Sequence, residues 1–330
     1  MGEPAGIGGE ITLKAWLALR DSGPAFVTIA DGPQLRRTAE ALKLDVPIAY
    51  VGDMQEGAAT FSSALPVLSI RLIRRIEPGK PRPHAAEMVI ESIAEAVALC
   101  QRGEASGIVT NPIQKSNLTS AGFPFPGHTE FLEHLAGKKF KAQMLLAGGG
   151  LRVVLVTIHE PLIKAISRLT TKMILDAGLR AAKALAQDFG IAQPRIAVAG
   201  LNPHAGENGT LGKEDQAIVA PAVKALQKAG VNAFGPLSPD TMFTPQARAN
   251  YDCALCLYHD QGLIPLKTLD MMGGVNVTLG LPFVRTSPDH GTALDIAGQG
   301  IADASSLIAA IRMAAELAER RQRRFSGNTE

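Results

Sequence analysis

The sequence predicts an α/β protein with a largely parallel sheet. Three observations predict it. Short apolar runs alternate along the chain with longer segments whose apolar residues recur every three or four positions, which is the strand–helix alternation of βα units. Polar motifs follow directly on several apolar runs, and ligands in open α/β sheets bind beyond the carboxyl ends of the strands. The 330 residues are enough for one large or two modest domains with a sizeable core.

The elements follow in chain order. The opening GEPAGIGGEI is a glycine-rich turn leading into the helical ITLKAWLALRD. Its backbone N–H groups could face an anion, although it is not a GxGxxG fingerprint. GPAFVTIA (23–30), VPIAYVG (46–52), ASGIVTN (105–111) and AQMLLAG (142–148) are strand-like, and LRVVLVTI, RIAVAGL and CALCLYH follow in the same style. Helical periodicity marks residues 85–103, 170–190, 214–230 and 305–324. The second of these ends on a glycine suited to a C-cap, and Pro221 marks a kink in the third. EPGKPRPH (77–84) and AGFPFPGHTE are loops by their prolines and glycines. No internal repeat and no low-complexity stretch interrupts the series. Pairing direction of individual strands stays open.

Bulk properties exclude several function classes. Apolar residues at 46% and charged residues at 19% exclude a disordered chain. Lys plus Arg number 33 against 31 for Asp plus Glu, so the basic excess of a nucleic-acid binder is missing. The one basic run, residues 319–324, reads as the solvated end of a helix, where cations suit the dipole. No apolar run is long enough to span a membrane, and the first ten residues lack the basic and apolar regions of a signal peptide. Three cysteines, Cys100, Cys253 and Cys256, are an odd set that argues for a reducing cytoplasm rather than a disulfide framework. Cys253 and Cys256 lie three apart on a strand, hence on opposite faces, and read as core residues rather than a metal or redox pair.

Four polar motifs end apolar runs: TNPIQKS at 110–116, TIHE at 157–160, LNPHAGENG at 201–209 and YHDQG at 258–262. Three of them supply a histidine, His159, His204 and His259. Singly each reads as a structural or surface residue. Together they read as one cluster, because neutral imidazoles suit a divalent transition ion and three protein nitrogens leave a position open for chemistry. The long spacings contain no HxH or HExxH chelate. Lys267, Asn276 and Arg285 form a second constellation suited to phosphate or carboxylate, with exposed loop charges as the plainer reading. His128 and Thr129, in PGHTE, offer hydrogen bonds to a substrate. His134 reads as structural, and His84 suggests no function. A His-ligated zinc hydrolase or lyase would explain the three histidines.

The motifs also carry a resemblance. MGEPAGIGGE, TNPIQKSNLTSAGFPFPGHTEFL, TIHEPL, LNPHAGENGTLGKED, PLSPDTMF, YHDQGLIPLK and GGVNVTLGLPFVRTSPDHGTALDIAGQG resemble the 4-hydroxythreonine-4-phosphate dehydrogenases of vitamin B6 biosynthesis, from residue 1 to about 310. DHGTALDIAGQGIAD further resembles a segment of isocitrate and isopropylmalate dehydrogenases. The chain departs at Glu3, where the family has Asp. It also begins inside the first motif, where family members carry a preceding apolar strand, so one sheet strand is expected to be missing.

The resemblance implies a two-domain isocitrate/isopropylmalate dehydrogenase-like fold with mostly parallel sheets and a central cleft. The first domain, on the cofactor side, would take residues 1–110 and 265–330. The second, 111–264, would carry the metal ligands and the dimer contact. His159, His204 and His259 would bind one divalent ion, Zn, Mg, Mn or Co, at the subunit interface of a homodimer, so the ligands need not come from one chain. His128, Thr129, Lys267, Asn276 and Arg285 would bind substrate. His290, Gly291, Thr292 and Asp295 would lie near NAD or NADP. The implied reaction is oxidation of 4-phosphooxy-L-threonine at C3 to 2-amino-3-oxo-4-phosphooxybutanoate, which loses carbon dioxide to give 3-amino-2-oxopropyl phosphate. Asp240 and Asp260 are the candidates for the base, and Asp260 could instead orient a ligand imidazole. Related enzymes act on 4-phospho-threonate or erythronate, or on aromatic cis-dihydrodiols. A phosphate acyltransferase shares the broad fold but needs no such histidines.

Overall fold

The structure, a computed structural model, describes residues 1–326. The chain forms two compact units, Met1–Ala142 with Leu281–Ala318, and Gln143–Gly280 with the chain from Glu319 onward. The sequence placed these divisions near 110 and 265. Residues 111–142 stay with the first unit because the helix His128–Ala136 buries Phe131 and Leu132 against the helix Ala86–Gln101.

In the first unit, β1 (Thr28–Ala30), β2 (Ile48–Tyr50) and β3 (Leu65–Ser69) form a parallel sheet in the order β1-β3-β2. β4 (Gly107–Val109) is a separate strand of this unit. The helix Gly8–Leu19 packs Ile11, Trp16 and Leu19 into a core with Leu35, Leu65, Val67 and Leu307. A second core, around Val89, Ile93, Ile108 and Leu132, lies against the helix Ala86–Gln101.

In the second unit, β5 (Gln143–Gly148), β6 (Leu151–Leu155), β7 (Arg195–Ala199), β8 (Asn232–Leu237), β9 (Cys253–Cys256) and β10 (Val275–Leu279) lie in the order β10-β5-β6-β9-β7-β8. β5 pairs antiparallel with both β6 and β10, and the remaining pairs are parallel. All four residues of β9 are buried, and Cys253 and Cys256 are free thiols, so the CxxC is core. The final strand, β11 (Val284–Pro288), belongs to the first unit and pairs parallel with β4.

Several sequence expectations change. β10 and β11 fell in a stretch read for its functional residues, and β3 and most of β8 in stretches given no element. β8 contains Gly and Pro, and β11 carries a buried arginine, so neither shows a clean apolar alternation. The segment 214–230 is one π-helical turn, Asp215–Val219, followed by the helix Ala220–Lys228, with Pro221 in the first turn where its missing N–H costs nothing. The basic run is not simply solvated. Arg321 makes two bonds to the Asp188 carboxylate, at 2.6 and 2.9 Å, and Arg320 donates to the Phe189 carbonyl.

The first unit contains a cavity of about 150 Å³, lined by β1, β4 and the helices Ala86–Gln101 and Ser305–Ser326. Thr28 Oγ1 and Asn111 Oδ1 are buried at its wall with no hydrogen-bond partner among the described residues. No helix among the described residues is long and apolar enough to cross a membrane.

Candidate active site

Two strand-end histidines meet because their strands are neighbours in register. β6 and β9 run parallel, with Leu155 opposite Cys256. The pairing continues past both strands, since Val156 N–H donates to the Cys256 carbonyl and the Thr157 amide and hydroxyl both donate to that of Leu257. Two residues further on, the His159 and His259 rings lie 5.5 Å apart. They line a cavity of about 400 Å³ with Thr157, Glu160, Tyr258 and Asp260. The Nδ1 atom of His259 is 2.7 Å from Asp260 Oδ1. That contact occupies Nδ1 and restrains the ring, as a carboxylate does for a metal-ligating imidazole.

The third strand end adjoins the other two through Gln261. Its buried side chain accepts from Leu257 N–H and donates to the Gly200 carbonyl just beyond β7, both at 2.7 Å. The chain then turns away. His204, Ala205, Gly206, Glu207 and Asn208 all have positive φ, a left-handed turn that only glycine adopts without cost. The buried Asp215 carboxylate pins the entry to this turn by accepting from the Leu201 and Asn202 amides and from Asn202 Nδ2. His204 is exposed there, near Asp240. The Ser238 hydroxyl bonds Asp240, which holds that carboxyl below its ordinary range, and the charge of His204 adds to the effect. Among the described residues no three His, Cys, Asp or Glu side chains converge closely enough in one chain to hold a metal. The structure therefore brings His159 and His259 together and leaves His204 apart. Two imidazoles with one ring fixed fit part of a divalent site, and a further ligand would have to come from elsewhere.

The substrate candidates divide between the units. Lys267 lies on the helix His259–Leu269, eight residues and roughly 12 Å beyond His259. Asn276 is on β10 and half-buried. In the first unit Arg285, buried on β11, donates from Nη2 to Thr110 Oγ1 at 2.7 Å, just past the end of β4. His128 and Thr129 open the helix His128–Ala136. Burial holds the His128 imidazole well below its ordinary range, and the charges of Arg285 and Lys115 push the same way. Lys115 and the two tethering residues, Gln261 and Asp215, escaped the sequence reading. The only available signal was the place of Lys115 and Gln261 inside strand-end motifs and of Asp215 shortly after one.

The cofactor candidates share one loop of the first unit, between β11 and the helix Ser305–Ser326. Thr292 accepts from Ile7 N–H through its carbonyl and donates from Oγ1 to Gln114. A Cβ on Gly6 would lie 2.7 Å from that carbonyl, so the glycine turn at the amino terminus packs here rather than around an open space. His290 Nε2 is buried with no hydrogen-bond partner among the described residues. Asp295 is exposed and Gly291 has open space beside its Cα. An orphaned ring nitrogen beside open backbone fits a polar cofactor.

The model of the family described as pyridoxal phosphate biosynthetic protein PdxA matches residues 23–314. The chain belongs to this family. Members similar to it along nearly their whole length include the 4-hydroxythreonine-4-phosphate dehydrogenase of Caulobacter vibrioides, 54% identical over 97% of this chain and 96% of that one. Another, of the same name from Paracoccus denitrificans, is 52% identical over 97% of each. A crystal structure of 4-hydroxythreonine-4-phosphate dehydrogenase from Klebsiella pneumoniae superposes with a TM-score of 0.86 at 38% identity, over 96% of this chain and 98% of that one. A terephthalate 1,2-cis-dihydrodiol dehydrogenase from Burkholderia xenovorans is more distant, with a TM-score of 0.64 at 28% identity over 96% of each. The PdxA-type relatives are named as dehydrogenases, and PdxA membership agrees with the α/β fold.

Proposed function

We propose that the protein oxidises 4-phosphooxy-L-threonine at C3, using NAD or NADP and a divalent metal ion, to 2-amino-3-oxo-4-phosphooxybutanoate, and that this β-keto acid loses carbon dioxide to give 3-amino-2-oxopropyl phosphate for pyridoxal 5'-phosphate synthesis. The observation that carries this reading is the pair of strand-end imidazoles, His159 and His259, 5.5 Å apart, in a chain 54% identical to a named 4-hydroxythreonine-4-phosphate dehydrogenase.

His159, His259 and His204 are the residues that would hold the metal, with His204 donated by a second copy of the chain. Apolar side chains exposed next to His159 support such a homodimer: Leu162, Ile163 and Ile166, with Ile163 at 81% exposure. A divalent ion held there supplies Lewis acidity towards the C3 hydroxyl, and the nicotinamide supplies the hydride acceptor. The protein's own groups do the rest. Asp260 orients His259 rather than serving as the base. Asp240, ionised at neutral pH, accepts the hydroxyl proton. His128, Thr129, Lys267, Asn276 and Arg285 bind the substrate, and the loop of His290, Gly291, Thr292 and Asp295 takes the cofactor. The reaction would run in the cytoplasm.

The test is nicotinamide reduction by purified protein with 4-phosphooxy-L-threonine, before and after EDTA. Reduction that stops with EDTA and returns with Zn, Mn, Co or Mg is expected. Turnover of phospho-threonate or a cis-dihydrodiol instead would retain the dehydrogenase chemistry and replace the substrate. Failure with every alcohol in metal-loaded, folded protein would favour a hydrolase.

A further inference from the structure

We propose that Gln261 is a positioning residue for the metal site: its side-chain amide ties the start of the helix that bears His259 to the root of the turn that bears His204. The proposal rests on the metal reading above, because it says what sets the spacing of two of the candidate ligands.

The backbone alone does not set that spacing. β9 stays paired with β6 as far as Leu257, whose carbonyl accepts from the Thr157 amide and hydroxyl. On its other side β9 parts from β7 sooner. The register of that pair runs Ile196 with Cys253, Ala197 with Ala254 and Val198 with Leu255, and stops there. Two residues further on in each segment, the Gln261 side chain bridges Leu257 and Gly200 instead. Leu257 N–H donates to Gln261 Oε1 and Gln261 Nε2 donates to the Gly200 carbonyl, each at 2.7 Å. The carboxamide therefore takes the place of a peptide group in the ladder, accepting on one side and donating on the other. A backbone donor on one side and a backbone acceptor on the other leave a single orientation for it. An ionised glutamate lacks the donor, a lysine lacks the acceptor, and an asparagine is one methylene too short.

Each end of the bridge bears on a candidate ligand. Gln261 lies in the first turn of the helix His259–Leu269, two residues and about 200° of rotation beyond His259. Its buried amide holds the inner side of that turn, while His259 lines the cavity beside His159. Gly200 is the root of the left-handed turn. A Cβ there would stand 2.9 Å from both Cα and Cβ of Ala205, so the residue after His204 packs directly on this glycine. The Gly200 N–H donates in turn to the Leu237 carbonyl at 2.7 Å. A row of hydrogen bonds thus crosses the carboxyl ends of β6, β9, β7 and β8, and between β9 and β7 it passes through Gln261. The amide cannot change rotamer without stranding the Leu257 N–H or the Gly200 carbonyl, both in buried residues. The first turn bearing His259 and the turn bearing His204 are therefore held at one separation.

The experiment loads the full-length protein with Co(II) and follows the affinity and the visible absorption of the bound ion in the wild type, Gln261→Met and Gln261→Asn, with urea titration of the same samples. Methionine keeps the length of the side chain and removes both bonds. Asparagine keeps the amide and loses the reach, and it carries the comparison should the methionine variant fail to fold. Both variants are expected to bind Co(II) about 10- to 100-fold more weakly, as when an outer partner of a metal ligand is lost. Saturating Co(II) is expected to leave the absorption different from that of the wild type, which separates misplaced ligands from a weakened fold. Variants that are less stable in urea, yet bind Co(II) with wild-type affinity and absorption, overturn the proposal and leave Gln261 a purely structural residue. Wild-type protein that takes up no Co(II), or takes it up equally well after His259→Ala, removes the metal reading and this proposal with it.

Discussion

His159 has a φ of 32° and His204 a φ of 51°, so two of the three candidate ligands sit in a region that costs a side chain of order 1–3 kcal/mol. Glycine removes that cost. His159→Gly is expected to leave the unfolding free energy unchanged or raise it by about 1 kcal/mol while divalent-metal affinity collapses, as read by urea titration and by metal content after dialysis. A loss of stability with metal content retained would remove His159 from the site. Asp260→Asn tests the orienting role. It weakens metal affinity about 10- to 100-fold and spares the fold, because the carboxylate is 70% exposed. His128 gives a pH signature. Its folded imidazole stays neutral, whereas the unfolded one takes a proton below about pH 6.5. Unfolding therefore binds a proton at low pH, and stability falls as the pH drops below 6.5 and is level above it. His128→Asn should flatten that slope in denaturant titrations between about pH 5 and 6.5. An unaltered slope would mean that the ring is not shielded.

At the scale of elements, the parallel pairing of β6 with β9 sets the spacing of two histidines, and the left-handed turn after β7 sets aside the third. Each strand was legible as an apolar run, and each histidine as a polar residue where that run stops. The register of β6 against β9 was not, because nothing in either run specifies its partner. The excursion of His204 was not legible either, since glycine at 206 and asparagine at 208 hint at positive φ while histidine, alanine and glutamate do not. Arg285 was visible as a binding residue but not as part of a strand, because a buried charge breaks the pattern by which strands are read. Asp215 holds the turn through three accepted bonds. Asp215→Ala strands two part-buried amides and should cost about 2–3 kcal/mol in urea unfolding. Asp215→Asn, which keeps one acceptor oxygen, should cost less. Equal stability of the alanine variant and wild type would show that the turn holds without it.

For the molecule as a whole, the proposed homodimer makes assembly and catalysis inseparable. Ile163→Asp places a charge on the exposed face beside His159. Sedimentation should show the monomer, and metal affinity should fall with it although every ligand is intact. A monomeric variant with full activity would confine the site to one chain. The cavity between β1 and β4 has another kind of consequence. Space that atoms do not fill disappears when a protein unfolds, so the molecule occupies less volume unfolded than folded. The cavity of about 150 Å³ adds to that difference, which runs to roughly 20–100 mL/mol for domains. Hydrostatic pressure should therefore open this unit readily. The chain carries its own reporter in its single tryptophan, Trp16, buried in that core with its indole N–H on the Phe61 carbonyl. Its emission should shift to the red at pressures that barely alter the helical signal of the whole chain, and Ala96→Val, which adds carbon to the cavity wall, should raise the pressure required.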